Sequence, residues 1–338
     1  MKIAVTGGSG MVGRNLQDVV QEHQGEHEYI FLTRKDFDCE ERDAVMTHFE
    51  KNEYDAVLHL AADVGGLYKN INDNDQIYMK NKAINDNIID ACVKFGIKKG
   101  IFCSSSCVFP ENPSKFPMNE DMMCESEPHP SNRGYAMAKR KMAIRCKELN
   151  KKGFQYLSLI PVNMYGKYDN FNIGTGHFVP ALMHRFEICK NATRNSASFY
   201  EPNSDVEKYI AYGDGKPLRQ LIYAKDFAEI IYTFFLQKDN WIFDSVIVCN
   251  DEEHTIKEVV EELARVMDLD KKNLVWDTSK ANGCMRKTVS NIRLTNMNIF
   301  KNFKTLEYGL QETYTWFKNN NYEYARDNNQ FIEEMFAG

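Results

Sequence analysis

Short apolar runs along the chain alternate with longer segments whose apolar residues recur at helical spacing. Ile3–Val5, Tyr29–Leu32, Ala56–Leu60, Lys99–Cys103, Gln155–Ile160 and Val246–Val248 have strand length and composition. Between them, Val12 to Val20, Asn81 to Phe95 and Gly134 to Leu149 carry the period expected of amphipathic helices. A parallel crossover needs a helix to return the chain, so this alternation predicts a parallel sheet covered on both faces. The expected class is α/β, a doubly wound parallel sheet. Such sheets hold ligands beyond the carboxyl ends of their strands.

After about residue 165 the alternation weakens. Residues 191–207 are polar and turn-rich, which predicts a surface loop or insertion. Leu221 to Gln237 predicts a strand and an apolar helix, and Thr255 followed by Glu258 has capping-box spacing. The chain then divides into a nucleotide-binding unit, 1–165, and a smaller C-terminal α/β unit, 166–338, for the substrate. Residues 220–250 are expected to return to the first sheet.

Composition changes this picture little. The 338 residues carry a net charge of -6, which offers no general attraction for nucleic acid. No apolar run reaches the roughly 18 residues of a membrane span. The first residues pass into a strand without a leader-like pattern. Nine cysteines lie scattered without Cys-x-x-Cys pairs, so reduced thiols and a cytoplasmic setting are expected rather than disulfides or zinc. His23 and His27 have the spacing of a helical metal pair but lack the acidic partner, and a solvated helix end is the simpler reading. No metal is expected.

Chemistry enters at the first turn. Gly7, Gly10 and Gly13, in the run Gly7-Gly8-Ser9-Gly10-Met11-Val12-Gly13, stand between the first strand and the first helix. Glycines there allow a tight turn and let backbone N–H groups approach a pyrophosphate. At the end of the second strand, about 20 residues on, stand Thr33-Arg34-Lys35. An acidic residue at that place suits NAD and an arginine suits the 2′-phosphate of NADP, so Arg34 favours NADP(H). Asp36 and Asp38 lie close enough to be mistaken for the NAD marker, and Arg34 and Lys35 could instead only solvate a loop. Leu60, Ala61 and Ala62 after the third strand are small enough to let the cofactor lie close.

Tyr135 and Lys139 form a Y-x-x-x-K unit at the start of a helix and project from one face. An ammonium beside a phenol stabilises the phenolate and should lower the tyrosine from about 10 toward working pH. Such a tyrosine exchanges a proton with a ketone oxygen while hydride moves. Ser104, Ser105 and Ser106 cap the preceding strand, where a hydroxyl could bind the same oxygen or merely shape a turn.

Glycine loop, strand-end serine and Y-x-x-x-K together resemble the extended short-chain dehydrogenase/reductase superfamily, a Rossmann fold. Three further runs narrow the likeness: His59-Leu60-Ala61-Ala62-Asp63-Val64-Gly65-Gly66, Ser105-Ser106-Cys107-Val108-Phe109-Pro110, and Pro161-Val162-Asn163-Met164-Tyr165-Gly166 with Asp169-Asn170-Phe171-Asn172 and His177 beyond. These are similar to the bifunctional epimerase–reductases of 4-keto-6-deoxy sugars linked to GDP, and the similarity runs from Met1 to about Tyr324. The resemblance implies a base at Cys107, an acid at His177, and polarisation of a ketone by Ser105 and Tyr135. It implies that Met11, Val12, Pro161, Asn163, Met164 and His177 join the cofactor contacts, and that Asn163, Arg185, Arg219 and Lys280 meet the substrate. Arg286 and Lys287 could join them or remain solvated charges. A homodimer is also implied. Val162, Asp63 and Asn282 depart from that family's usual residues. A 4-epimerase or 4,6-dehydratase of the same fold, and a non-catalytic NADP-binding protein, are the rival readings. The dehydratases carry Thr-Asp-Glu where this chain has Cys107-Val108-Phe109.

Overall fold

The computed structural model describes residues 1–196, 208–236, 241–300 and 302–320. In chain order its first elements are β1 (Lys2–Thr6), α1 (Met11–His23), β2 (Glu28–Leu32), α2 (Arg42–Lys51), β3 (Ala56–His59), α3 (Leu67–Asn72), α4 (Asn74–Lys94), β4 (Lys99–Cys103), α5 (Arg133–Asn150), β5 (Gln155–Pro161) and β6 (Asn163–Tyr165). There follow α6 (Phe178–Ser196), β7 (Tyr209–Tyr212), β8 (Leu218–Arg219), β9 (Leu221–Tyr223), α7 (Ala224–Leu236), β10 (Ser245–Val248), β11 (His254–Thr255), α8 (Ile256–Val266), β12 (Leu274–Asp277), α9 (Ile292–Asn296) and α10 (Leu306–Asn319).

Six strands form one sheet in the order β10-β5-β4-β3-β1-β2, and every pair in it is parallel. Successive side chains along each strand feed opposite faces. Ile3, Val5, Leu58, Ile101 and Leu159 enter a core shared with Leu16 and Val19 of α1 and Phe227 and Ile231 of α7. Ala4, Val57, Phe102 and Tyr156 enter the other core, with Phe49 of α2, Ile88 and Cys92 of α4, and Met142 of α5. A sheet buried on both faces explains why its strands are apolar runs rather than alternating ones. The chain leaves β1 one way to β2 and the other way to β3, so the crevice beyond β1 and β3 is the switch point where ligands lodge.

A separate apolar cluster joins Phe186 and Leu182 of α6, Tyr209 of β7, Val260 and Leu263 of α8, and Phe317 of α10. Thr255 caps α8 with a complete capping box: its hydroxyl accepts from the Glu258 N–H at 3.1 Å, and the Glu258 carboxylate accepts from the Thr255 N–H at 2.7 Å. Among the described residues no helix is long and apolar enough to cross a membrane.

Three details differ from the sequence reading. α4 starts at Asn74 rather than Asn81, because buried Ile77 extends its inner face through a stretch of otherwise polar residues. Of the residues expected as a loop at 191–207, 191–196 are the end of α6, while 197–207 lie outside the described residues. An established helix adds polar residues at little cost once its apolar face is anchored, here by Val179, Leu182, Met183 and Phe186. Within 220–250 only β10 joins the large sheet; β9 pairs with β6 in a two-stranded ribbon.

Candidate active site

Gly7 turns the chain out of β1 at φ +74°, and a Cβ there would lie 2.7 Å from the Ala61 nitrogen. A Cβ on Gly13 would lie 2.5 Å from the Gly7 carbonyl oxygen and 2.8 Å from the Gly8 Cα. The two glycines therefore seat α1 directly on the turn and on the segment after β3. Gly10 is the N-cap of α1, with a backbone bond to the Gly7 carbonyl at 3.0 Å. No capping side chain and no acidic residue competes for the N–H groups of the first turn, Met11 to Gly13. An uncapped helix start of this kind is a receptor for a phosphate group, and Leu60, Ala61 and Ala62 border it.

At the end of β2 the Asp36 carboxylate accepts from the Thr33 N–H at 2.8 Å and from its hydroxyl at 3.0 Å. Those bonds hold its carboxyl below the usual range, its backbone bond from Thr33 first among the causes. One oxygen of the acid, Oδ2, is tied to its own turn. Arg34 and Lys35 stand exposed and form no ion pair among the described residues.

Lys139 is fully buried in α5, and its Nζ donates to the Cys103 carbonyl at 2.8 Å, 5.8 Å from the centre of the Tyr135 ring. The expected lowering of Tyr135 is reversed here: burial, then the Cys103 and Cys107 thiols, push the phenol well above its ordinary value. Desolvation of the charged form outweighs a cation tethered elsewhere. Tyr135 thus holds its proton, the form that a ketone reduction consumes. Behind the pair, His59 Nδ1 lies 2.8 Å from Thr6 Oγ1 and Nε2 lies 3.1 Å from Asn85 Oδ1. Burial and then Lys139 push that imidazole down to about 3, so it stays neutral.

Beyond β4, Ser105 caps a single helical turn, its Oγ accepting from the Cys107 N–H at 3.3 Å. Cys107 Sγ stands 3.8 Å from Lys287 Nζ, with the Asn132 amide 2.9 Å away. That amide is satisfied on both sides when its nitrogen donates to the His129 carbonyl at 3.1 Å and its oxygen accepts from Lys287 Nζ at 3.3 Å. Burial raises the neighbouring Cys103 thiol to about 11.

His177 is half exposed at the foot of α6. Its loop is held by Asn172, whose Oδ1 accepts from the N–H groups of Gly174 and Thr175, and by the Gly66 N–H donating to the Thr175 carbonyl at 3.0 Å. His177 Nδ1 lies 3.7 Å from Asp169 Oδ1, an ion-pair rather than a hydrogen-bond separation. Asn163 Nδ2 in β6 donates to the Gln220 carbonyl at 3.1 Å, with Met164 and Pro161 beside it in the chain.

Arg185, buried in α6, lays its guanidinium 4.0 Å from the centre of the Tyr212 ring, and Lys280 approaches the same ring at 5.7 Å. Arg219 Nη1 donates to the Leu218 carbonyl at 2.8 Å. Burial lowers its guanidinium and the Cys284 and Cys107 thiols oppose that, which places Arg219 within electrostatic reach of Cys107. Arg286 is engaged by Glu253 at 3.0 Å and by Thr288 Oγ1 at 2.7 Å, a structural tie. Of the departures, Asp63 pairs with Lys69, and Asn282 Oδ1 accepts from the Asp214 N–H at 2.9 Å. His23 pairs with Glu229, and His27 meets the Phe235 carbonyl.

Three residues near these groups went unread in the sequence. Asn132 stands just before the Y-x-x-x-K helix, Asp169 lay within a quoted motif without a role, and Tyr212 carried no local signal at all.

A family model described as the NAD dependent epimerase/dehydratase family matches residues 3–246. A GDP-L-fucose synthase of Dictyostelium discoideum is 34% identical over 96% of this chain and 97% of its own. A GDP-L-colitose synthase of Yersinia pseudotuberculosis is 30% identical over 94% of this chain and 98% of its own. Among solved structures, a GDP-L-fucose synthetase of Naegleria fowleri bound to NADP matches with a TM-score of 0.83 and 34% identity, over 96% of this chain and 95% of that one.

Proposed function

This chain belongs to the NAD-dependent epimerase/dehydratase family, and on that footing we propose that it carries out the GDP-L-fucose synthase reaction. C3 and C5 of GDP-4-keto-6-deoxymannose are inverted, and the C4 ketone is then reduced with NADPH to give GDP-L-fucose. The protein is an NADP-dependent epimerase and reductase acting on a GDP-linked sugar.

The observation that carries this reading is the setting of Cys107. A plain ketone reductase needs only hydroxyl, phenol and lysine. Here a thiol within electrostatic reach of the tyrosine also stands 3.8 Å from the Lys287 ammonium. A cation at that distance suits a residue that is to take a proton.

In this reading Ser105 and Tyr135 hydrogen-bond the C4 oxygen, so the C–H bonds at C3 and C5 become acidic. At each of the two carbons Cys107 takes the proton as its S–H bond forms and His177 returns one from the opposite face as its N–H bond breaks, and exchange with solvent resets both groups between the two inversions. Bound NADPH supplies the hydride that reduces C4. Tyr135 gives its phenolic proton to the C4 oxygen, and Lys139 stabilises the phenolate left behind. The glycine turn and uncapped start of α1 suit the pyrophosphate of the cofactor, with Met11 and Val12 in that first turn. Arg34 suits its 2′-phosphate. Leu60 to Ala62 and Pro161 to Met164 wall the nicotinamide side. Asn163, Arg185, Arg219 and Lys280 hold the GDP sugar, the arginines as bidentate partners of phosphate. Residues 1–165 serve the cofactor and most of 166–338 the substrate. Nine unbridged thiols suit the cytoplasm.

Two copies would associate through α4 and α5, whose outer faces expose Met79, Val93 and Ile144 at 62%, 39% and 47%. A monomeric mass at micromolar concentration would refute that pairing. The reaction is tested by supplying GDP-4-keto-6-deoxymannose with NADPH and identifying the sugar formed. Cys107→Ser should abolish solvent deuterium uptake at C3 and C5 while NADPH still binds. Undiminished exchange in that variant removes Cys107 from the chemistry.

A further inference from the structure

We propose that Asp169 is a positioning residue for His177: it turns the imidazole and holds it as the proton donor of the site. This deepens the proposed epimerisation and rests on that reading for its chemistry, though not for its geometry.

The geometry begins with a carboxylate that has almost left water. Asp169 is 3% exposed. Its Oδ1 accepts from the Asn170 N–H at 2.7 Å, while its Oδ2 is buried and has no hydrogen-bond partner among the described residues. Across from it, His177 Nδ1 is likewise buried and without a partner. The two groups face each other, with Oδ1 and Nδ1 3.7 Å apart. A buried charge left uncompensated is strongly unfavourable. Among the described residues, His177 is the cationic group within ion-pair distance of Asp169, and Asp169 is the charged group that acts on His177.

The protonation state follows. Burial alone would lower the imidazole, but the carboxylate outweighs it and His177 stands above its ordinary value. The gap of 3.7 Å exceeds a hydrogen bond, and such contacts in empty sites commonly tighten when substrate arrives. With Nδ1 turned to Asp169, Nε2 is the nitrogen left to face a sugar carbon. Its N–H bond breaks as the C–H bond forms, and solvent restores the proton. Across the site Cys107 has the reverse setting, a thiol beside the Lys287 ammonium. A cation beside the thiol and a carboxylate beside the imidazole suit the base and the acid of the proposed reaction.

The test follows the His177 ring nitrogens by NMR in the intact protein, identified among the 8 histidines by their absence in His177→Gln. Wild type should titrate above 6.5, the ordinary histidine value. Asp169→Asn should bring that midpoint down by about one pH unit, and Asp169→Glu should restore most of it. With GDP-4-keto-6-deoxymannose in deuterated buffer near pH 8, Asp169→Asn should slow exchange at C3 and C5 by about tenfold or more. NADPH binding should stay as in wild type. A wild-type midpoint at or below 6.5 overturns the proposal, and so does an Asp169→Asn protein in which midpoint and exchange are both unmoved. Should Asp169→Asn not fold, the wild-type and Asp169→Glu midpoints still decide. If the sugar is not turned over at all, the reaction assigned above fails while the titration separately judges the pair.

Discussion

Arg34 is the single position proposed to read the 2′-phosphate of NADP. The nearby carboxylate Asp36 commits its Oδ2 to the N–H and hydroxyl of Thr33. Arg34 and Lys35 are exposed cations at the end of β2. A charge-assisted bond to phosphate contributes about 1.5–3 kcal/mol. Arg34→Ala should therefore weaken NADPH binding by roughly 10- to 100-fold. NADH binding should change by less than about threefold, since it lacks the phosphate. Parallel fluorescence titrations with the two cofactors check this, and equal losses would mean that Arg34 reads nothing specific. Tyr135 teaches a different lesson at the same scale. The Y-x-x-x-K spacing promises a lowered phenol, yet burial and then the Cys103 and Cys107 thiols raise it.

Among the elements, α1 is held closely against the glycine turn. Its approach to the turn after β1 depends on the absence of a side chain at Gly13, where a Cβ would meet backbone rather than a flexible side chain. Gly13→Ala must push the helix away or strain the turn, at a cost of about 1–3 kcal/mol in folding stability. It should also lose most NADPH affinity, because the first-turn N–H groups move with the helix. Chemical denaturation and cofactor titration on the same variant measure both. Normal stability with normal binding would show that the turn yields without consequence. The glycine spacing was legible in the sequence because a strand, a tight turn and a helix are neighbours in the chain. The ends of α4 and α6 were not, since burial of Ile77 and of the α6 apolar face depends on distant partners.

At the scale of the whole molecule, His59 ties the centre of the sheet to its flanking helices. It bridges Thr6 of β1 and Asn85 of α4, and Asn85 Nδ2 reaches the Ala138 carbonyl of α5 at 3.4 Å. Its folded value of about 3 lies below the ordinary 6.5. The unfolded chain therefore binds the extra proton first, and stability from this group is present above 6.5 and lost as pH falls toward about 3. Asp226, raised by burial to about 6 from 3.8, works in the opposite sense within its own interval. The unfolding free energy of wild type minus that of His59→Gln should shrink steadily as pH is lowered across the His59 interval. A difference that does not vary with pH would show that His59 is not held neutral.

Residues close in the chain determined the order of elements, the sheet they build, the glycine turn and the tyrosine–lysine pair. Periodicity and spacing act through neighbouring backbone, which the chain carries wherever it folds. Only the tertiary structure brought Lys287 to Cys107, Tyr212 between Arg185 and Lys280, and the Asp169 carboxylate to His177. It also decided that Tyr135 keeps its proton. The reason is the same in each case: burial and charge at a side chain are set by whatever packs around it, and here those groups come from segments far apart in the chain.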